Sequence, residues 1–170
     1  GTVEELIRDG ERGIEAGYST LKDHLAFLYE DNIDAFESFR NHFAPDVGLM
    51  HDAALASYNY DEALVVGRAL EATDFIWFEE PIDDRLHDQN KQLCDLLDIP
   101  IAGAETLMHD PALGELWLKD GAVDVLRVHA RHGTTAVQRL AATAADLGTN
   151  VEPNAYGPLF GLVHAHVVCG

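Results

Sequence analysis

The stretch Phe75-Ile-Trp-Phe-Glu79 decides the fold, because an apolar run of strand length ends there in a carboxylate. The same pattern occurs before and after it, in Val47-Gly-Leu-Met-His-Asp52 and Ile99-Pro-Ile-Ala-Gly-Ala-Glu105. The closing acidic residues are 27 and 26 residues apart. One strand, one helix and two short loops occupy a segment of about that length. We therefore expect the three carboxylates at equivalent ends of three successive parallel strands.

The rest of the chain alternates between strand-sized apolar runs and helical patterns. Strands are expected over residues 18–24, 47–51, 75–78, 99–104, 123–128 and 149–153. Helices are expected over residues 3–16, 30–43, 60–72, 86–97, 111–119, 135–147 and 158–168. Such alternation without long linkers indicates a parallel sheet with crossover helices.

Two parallel architectures fit this alternation. A doubly wound open sheet gathers its site residues where the strand order reverses, whereas a (β/α) barrel places them on consecutive strands. The even spacing of the carboxylates favours the barrel. A complete barrel has eight strands, so six strands predict a partial (β/α) barrel of the TIM type, in the α/β class. The whole chain, residues 1–170, is expected to form one such domain.

The charge is unusually negative. Asp and Glu number 30 against 11 Lys and Arg, a formal net charge of −19. Such a surface argues against nucleic acid or an anionic membrane as partner. Two readings stay open: an ordinary acidic enzyme, or adaptation to high salt, where screening weakens self-repulsion.

The two cysteines, Cys94 and Cys169, form neither a disulfide framework nor a metal-thiolate motif. No signal peptide is recognised, and the apolar runs are too short to span a membrane. A reducing cytoplasm is the expected location.

Three carboxylates at one end of a parallel sheet repel each other unless a cation neutralises them. A hard divalent cation with oxygen ligands is the usual solution. Any one of the three residues could merely begin a loop. Their shared position along the strands favours a metal site, at the end of the barrel that carries active sites.

Lys22 and His24 close the strand expected before Asp52. Residues i and i+2 of a strand face the same way, so these two side chains share a face and Asp23 points to the other. His51 likewise points away from the face of Asp52. Beside a metal, Lys22 and His24 can act as a general base and its electrostatic partner, with a pKa that the cation lowers towards neutrality. An ordinary solvated strand end is the alternative.

Four motifs together resemble the enolase superfamily, in its mandelate racemase-like branch: Lys22-x-His24, Leu49-Met-His-Asp52, Trp77-Phe-Glu-Glu-Pro81 and Ala102-Gly-Ala-Glu-Thr106. The resemblance implies a modified (β/α) barrel, with a capping domain that this chain does not include. It matches Asp52, Glu79 and Glu105 to the three magnesium ligands. It also matches Lys22-x-His24 to a Lys-x-Lys motif whose second position supplies the base, with magnesium stabilising an enediolate.

The chain departs from the family pattern on two later strands. The family often has an Asp after its sixth strand and a His after its seventh, which act on the opposite face of the substrate. The corresponding catalytic positions here are His129 and Asn154. Asn cannot exchange a proton usefully at neutral pH, so two-base racemisation is in doubt. His164 and His166, on the last predicted helix, are expected to pack.

These features together predict a Mg²⁺-dependent enzyme for a small hydroxy-carboxylate, namely an acid-sugar (aldonate-type) dehydratase. A cycloisomerase or epimerase of the same superfamily remains an alternative, as does an inactive paralogue that binds metal or acid sugar. No nucleic acid or membrane partner is expected. Because a partial barrel must bury its open edges, a homo-oligomer is expected.

Overall fold

The computed structural model describes residues 2–54, 58–154 and 157–169. It contains six strands: β1 Thr20–Asp23, β2 Gly48–Asp52, β3 Trp77–Glu79, β4 Ile101–Gly103, β5 Val125–Val128 and β6 Val151–Pro153. Seven α-helices alternate with them: α1 Val3–Glu15, α2 Tyr29–His42, α3 Tyr60–Ala72, α4 His87–Leu96, α5 Pro111–Asp120, α6 Thr134–Asp146 and α7 Gly157–Cys169. Two short 3-10 helices, Glu105–Leu107 and Ala130–His132, follow β4 and β5.

The strands form one sheet in the order in which they occur in the chain, β1 to β6. The strand pairs β1–β2, β2–β3, β4–β5 and β5–β6 are parallel. A doubly wound sheet would reverse its strand order, whereas sequential order is that of a (β/α) barrel. The predicted partial barrel is therefore confirmed.

The helix boundaries follow from local capping chemistry. Asn59 opens α3 with a capping box, in which its side chain and that of Glu62 each accept a hydrogen bond from the other residue's backbone N–H. Asp110 caps α5, whose first residue is Pro111, and Gly121 ends it in a left-handed conformation. The predicted helix spans agree with the structure to within a residue or two.

Five of the six predicted strands are longer than those observed, while the second, predicted over residues 47–51, has the length of β2. The backbone N–H of Tyr18 donates to the carbonyl oxygen of Gly13, and the N–H of Phe75 donates to that of Leu70. These bonds close the ends of the preceding helices, so Tyr18 and Phe75 belong to turns rather than to strands. The sequence prediction that strands begin at residues 18 and 75 is wrong for this reason.

By its contacts the chain divides into two compact units. Unit 1 comprises Gly1–Asp83 with Asp95–Ile101. It contains β1 to β3, and its buried core includes six large side chains: Phe36, Phe39, Leu49, Leu70, Phe75 and Phe78. Unit 2 comprises Asp84–Cys94 with Ala102–Gly170. Its core packs the apolar faces of α5 and α6 on β5, through Trp117, Leu118, Leu126, Val128, Val137 and Leu140.

Among the helices described, none combines the length and the apolar character needed to cross a membrane.

Candidate active site

The site in unit 1 centres on the Lys22 ammonium group. Its Nζ atom lies 2.7 Å from Asp52 Oδ2 and 2.7 Å from Glu79 Oε2. Asp52 and Glu79 are direct neighbours across the β2–β3 ladder, and Lys22 pairs with Met50 on the other side of β2. The shared strand position predicted for Asp52 and Glu79 is thus confirmed, and the parallel ladder brings both carboxylates to Lys22.

Burial makes these ion pairs significant. The Glu79 side chain is fully buried, that of Asp52 is 6% exposed and that of Lys22 is 26% exposed. Carboxylates removed from water need a counter-charge, and Lys22 supplies it to both. Burial lowers the pKa of Lys22, but Asp52 and Glu79 outweigh this effect and raise the pKa above its ordinary value. The lowered pKa expected from the sequence therefore depends on a bound cation, which would compete with Lys22 for the same oxygens.

His24 joins this group from the solvent side. Its Nε2 atom lies 3.2 Å from Asp52 Oδ2, and 60% of its side chain is exposed. The predicted common face of Lys22 and His24 is confirmed, because both side chains approach the same carboxylate oxygen. Asp23 and His51 point to the opposite face as predicted, where His51 Nδ1 lies 2.7 Å from Asp23 Oδ1.

The third predicted ligand, Glu105, belongs to unit 2, where it begins the 3-10 helix after β4. The carboxylate of Asp84 holds this turn. It accepts hydrogen bonds from the backbone N–H of Ala104 at 3.0 Å, from that of Thr106 at 2.9 Å and from the Thr106 hydroxyl at 2.6 Å. Sequence reasoning missed Asp84, which is 2% exposed. No signal distinguishes it from Asp83 beside it.

Residues with a strained, left-handed backbone conformation lie next to or near each of the three predicted ligands. Among the described non-glycine residues, only four have positive φ: Ala54 at 47°, Asp74 at 55°, Glu80 at 48° and Ala104 at 65°. Ala54 lies two residues after Asp52, while Glu80 and Ala104 directly adjoin Glu79 and Glu105. Each such residue costs about 1–3 kcal/mol and occurs preferentially at functional sites. Strain beside Asp52, Glu79 and Glu105 is therefore of the kind that accompanies functional residues.

His129 and Asn154 both lie in unit 2, directly after Val128 and Pro153, which pair across the β5–β6 ladder. His129 is buried, and its Nδ1 atom accepts a hydrogen bond from the backbone N–H of Arg131 at 3.0 Å. Burial lowers the pKa of His129, and the neighbouring basic groups lower it further. The backbone N–H of Asn154 donates to the Val128 carbonyl oxygen.

His164 packs as the sequence predicted, whereas His166 is exposed, so the prediction that it packs is wrong. Its Nε2 atom accepts a hydrogen bond from the backbone N–H of Ala130 at 2.9 Å. Its ring lies edge-on to that of His129, with 4.8 Å between the ring centroids. His164 therefore supports the turn after β5 and is not free to bind a metal through Nε2.

The donor chemistry of the predicted ligands suits magnesium. Asp52, Glu79 and Glu105 offer only carboxylate oxygens, the ligand type that a hard divalent cation prefers. Within the described part of the chain, no three His, Cys, Asp or Glu side chains form a group that could hold a metal ion as they stand. The positive charge between Asp52 and Glu79 is the ammonium group of Lys22, so this position is one where a cation is stable.

Comparison with known proteins identifies the family to which the chain belongs. A sequence model of the family described as Enolase C-terminal domain-like matches residues 5–170. Arabinonate dehydratase of Saccharolobus solfataricus is 32% identical over 125 residues, which cover 72% of this chain and 33% of that protein. The chain therefore belongs to the enolase C-terminal domain-like family, as the four sequence motifs predicted.

Solved structures agree with this assignment. D-glucarate dehydratase from Agrobacterium tumefaciens, solved with magnesium, superposes with a TM-score of 0.87 at 31% identity, covering 98% of this chain and 44% of that one. The 3,6-anhydro-D-galactonate cycloisomerase from Zobellia galactanivorans superposes with a TM-score of 0.86 at 25% identity, covering 98% and 48%. The chain thus spans a third of the arabinonate dehydratase and under half of each of these solved chains.

Proposed function

We propose that this chain carries the catalytic groups of a magnesium-dependent acid-sugar dehydratase, which removes the proton beside a carboxylate and then eliminates water. The observation that carries this proposal is the convergence of Lys22, His24, Asp52 and Glu79, with contacts of 2.7 to 3.2 Å. A cation and a histidine beside two carboxylates are the parts that α-proton abstraction needs. The two relatives named as dehydratases of sugar acids support this substrate class.

Asp52, Glu79 and Glu105 would hold the magnesium ion. When bound, the ion would polarise the substrate carboxylate as a Lewis acid, which makes the neighbouring proton more acidic. The buried carboxylates of Asp52 and Glu79 suit this role because they have lost the water that would otherwise solvate them. Asp84 would keep Glu105 in position through its three bonds to the turn after β4.

His24 would act as the general base. It takes the α-proton of the substrate, and the electron pair of the broken C–H bond forms an enediolate with the carboxylate. Lys22 neutralises the added negative charge. The β-hydroxyl then leaves with a proton returned by His24, so that one water is lost and the resulting enol becomes a 2-keto-3-deoxy acid. Each 1.4 kcal/mol of stabilisation in this step gives about a tenfold gain in rate.

His129 and Asn154 would not supply a second base. Asn154 has no proton to exchange, and His129 is buried with its Nδ1 atom accepting a hydrogen bond from the backbone N–H of Arg131. Proton abstraction would then be one-sided. Only one configuration at the α-carbon would react, and its mirror configuration would be inert.

A cycloisomerase is the second candidate, because the solved 3,6-anhydro-D-galactonate cycloisomerase superposes on 98% of this chain. It shares the first proton abstraction but would lose no water. An inactive paralogue would bind magnesium or acid sugar without either reaction, and the unusual His129 and Asn154 favour this third reading.

The test is a product assay with the full-length protein, magnesium and a panel of aldonates and aldarates. We expect formation of a 2-keto-3-deoxy acid from one α-configuration, and its loss in His24→Asn. His42→Asn is the matched control, because His42 also pairs with a carboxylate, that of Glu11 at 3.0 Å, but lies on helix α2. Turnover of both α-configurations would contradict the one-base mechanism. Isomerisation without loss of water would favour the cycloisomerase, and no reaction at all would favour the inactive paralogue.

A further inference from the structure

A second polar cluster in unit 1 lies on the face of β1 and β2 opposite Lys22 and Asp52. It is a chain of three hydrogen bonds through four side chains, which we call the Asp23–Asn32 relay. Asn32 Nδ2 lies 2.6 Å from Tyr58 Oη, Tyr58 Oη lies 2.8 Å from His51 Nε2, and His51 Nδ1 lies 2.7 Å from Asp23 Oδ1.

The chemistry of the groups gives the relay one direction. The Asn32 amide nitrogen can only donate, so the Tyr58 oxygen accepts from it. The Tyr58 hydroxyl then donates to His51 Nε2, and His51 Nδ1 donates to the Asp23 carboxylate. This assignment follows from the hydrogen-bond partners. Burial raises the pKa of Tyr58, so its hydroxyl keeps the proton that it donates.

The relay lowers the free energy that the core gains on folding, because it buries polar groups. Asn32 and His51 are fully buried, and Tyr58 is 5% exposed. The His51 ring stacks on Phe78 and lies 4.8 Å from the ring centroid of Phe36, so the surroundings are apolar. Among the described residues, neither Asn32 Oδ1 nor Asp23 Oδ2 has a hydrogen-bond partner. Apolar side chains of similar volume would stabilise such a core at least as well, so stability alone does not explain the relay.

The position of the relay suggests what it does. Asp23 stands between Lys22 and His24, and His51 directly precedes Asp52. Asp23 and His51 are also the last residue pair of the β1–β2 ladder. Their side-chain bond therefore ties the two strands together where the backbone bonds end. Asp23 Oδ1 also accepts from the backbone N–H of Leu25 at 3.0 Å, which holds the chain where it leaves β1.

We propose that Asp23, His51 and Tyr58 are positioning residues, which fix the ends of β1 and β2 so that Lys22, His24 and Asp52 keep their mutual geometry. The inference rests on the function proposed above. Similar partners behind metal ligands and catalytic groups typically change metal affinity or activity about 10- to 100-fold when they are removed.

The test compares two substitutions of nearly equal size at one position. His51→Asn keeps an amide N–H close to the position of Nδ1, where it can still donate to Asp23, whereas His51→Leu keeps no donor. Both lose the bond to Tyr58. His51→Leu also leaves the Asp23 carboxylate without its histidine partner, which costs stability by itself. Stability in urea is therefore measured beside activity, and the two variants are compared under conditions where both are folded.

We expect kcat to fall about 10- to 100-fold in His51→Leu, with the KM for substrate changed less than twofold, and to recover at least in part in His51→Asn. The magnesium dissociation constant, measured by calorimetry, should follow the same order. Tyr58→Phe keeps the ring and removes only the hydroxyl, and it should give an intermediate loss. Equal activity and equal magnesium affinity in folded His51→Leu and His51→Asn, or values unchanged in all three variants, would overturn the proposal.

The two proposals fail differently. If the wild-type protein binds magnesium but turns over no acid sugar, the proposed function fails, while the dissociation constants of the variants still decide the role of the relay. A wild-type protein that binds no magnesium contradicts both proposals.

Discussion

The Lys22 side chain is the residue on which the site in unit 1 depends. It is the shared partner of two buried carboxylates, so its removal leaves both charges without the ammonium group. Loss of one partner from a buried ion pair costs about 3–5 kcal/mol. Because the Lys22 side chain is 26% exposed, we expect a smaller loss, of about 2–3 kcal/mol, for Lys22→Met in urea unfolding without metal.

Magnesium should reverse this loss in part. In Lys22→Met the ion need not displace an ammonium group, so the stabilisation by magnesium should exceed that of the wild type. Lys119→Met is the control, because Lys119 lies 2.6 Å from Glu115 in an exposed pair whose loss should cost under about 1 kcal/mol. Equal stabilisation of Lys22→Met and wild type by magnesium would mean that Lys22 and the metal do not share a position.

His129 gives a prediction on pH at the same scale. Its pKa is lowered in the folded protein, so the unfolded chain takes up this proton at a higher pH than the folded one. Its contribution to stability is present above the ordinary histidine pKa of about 6.5 and is lost as the pH falls through the lowered value. His129→Asn keeps an acceptor for Arg131 and should show a smaller loss of stability between pH 7 and pH 5. The exposed His166→Asn variant should behave as wild type, and equal losses in all three proteins would rule out this role for His129.

At the scale of elements, local chemistry explains which boundaries the sequence could give. The start of α3 at Tyr60 and that of α5 at Pro111 were predictable, because Asn59 and Pro111 carry signals that act within one turn. The strand starts were not, because Tyr18 and Phe75 bond to carbonyl groups of the preceding helices. The same holds for the site. Alternation along one strand predicted that Lys22 and His24 share a face, whereas Asp84 acts on a turn some twenty residues away.

The turn after β4 provides the test at this scale. Asp84→Asn leaves an amide that can no longer accept all the hydrogen bonds of the turn, and an unpaired buried group costs about 1–3 kcal/mol. We expect a loss of stability of that size and about a tenfold weaker magnesium affinity, both measured on the full-length protein. Asp88→Asn, at a side chain that is 94% exposed, should change neither. Unchanged magnesium affinity in Asp84→Asn would mean that this turn does not position a ligand.

At the scale of the whole molecule, the net charge of −19 is the main influence on how stability depends on salt. Self-repulsion between exposed carboxylates is screened over about 10 Å at 0.1 M salt and about 3 Å at 1 M. If the acidity is an adaptation to salt, the melting temperature should rise steeply from low to molar KCl. Sucrose, which does not screen charge, should not reproduce the steep part of this rise. A flat or falling curve in KCl would favour an ordinary acidic protein.

The central proposal is that Asp52 and Glu79 bind magnesium, and calorimetric titration of magnesium into the full-length protein tests it most directly. Glu79 and Glu80 are adjacent and both buried, but only Glu79 has the strand position of a ligand beside Lys22 and Asp52. We expect one magnesium ion per chain in the wild type and in Glu80→Gln, and no measurable binding in Glu79→Gln. Unchanged binding in Glu79→Gln, or loss of binding only in Glu80→Gln, would contradict the account.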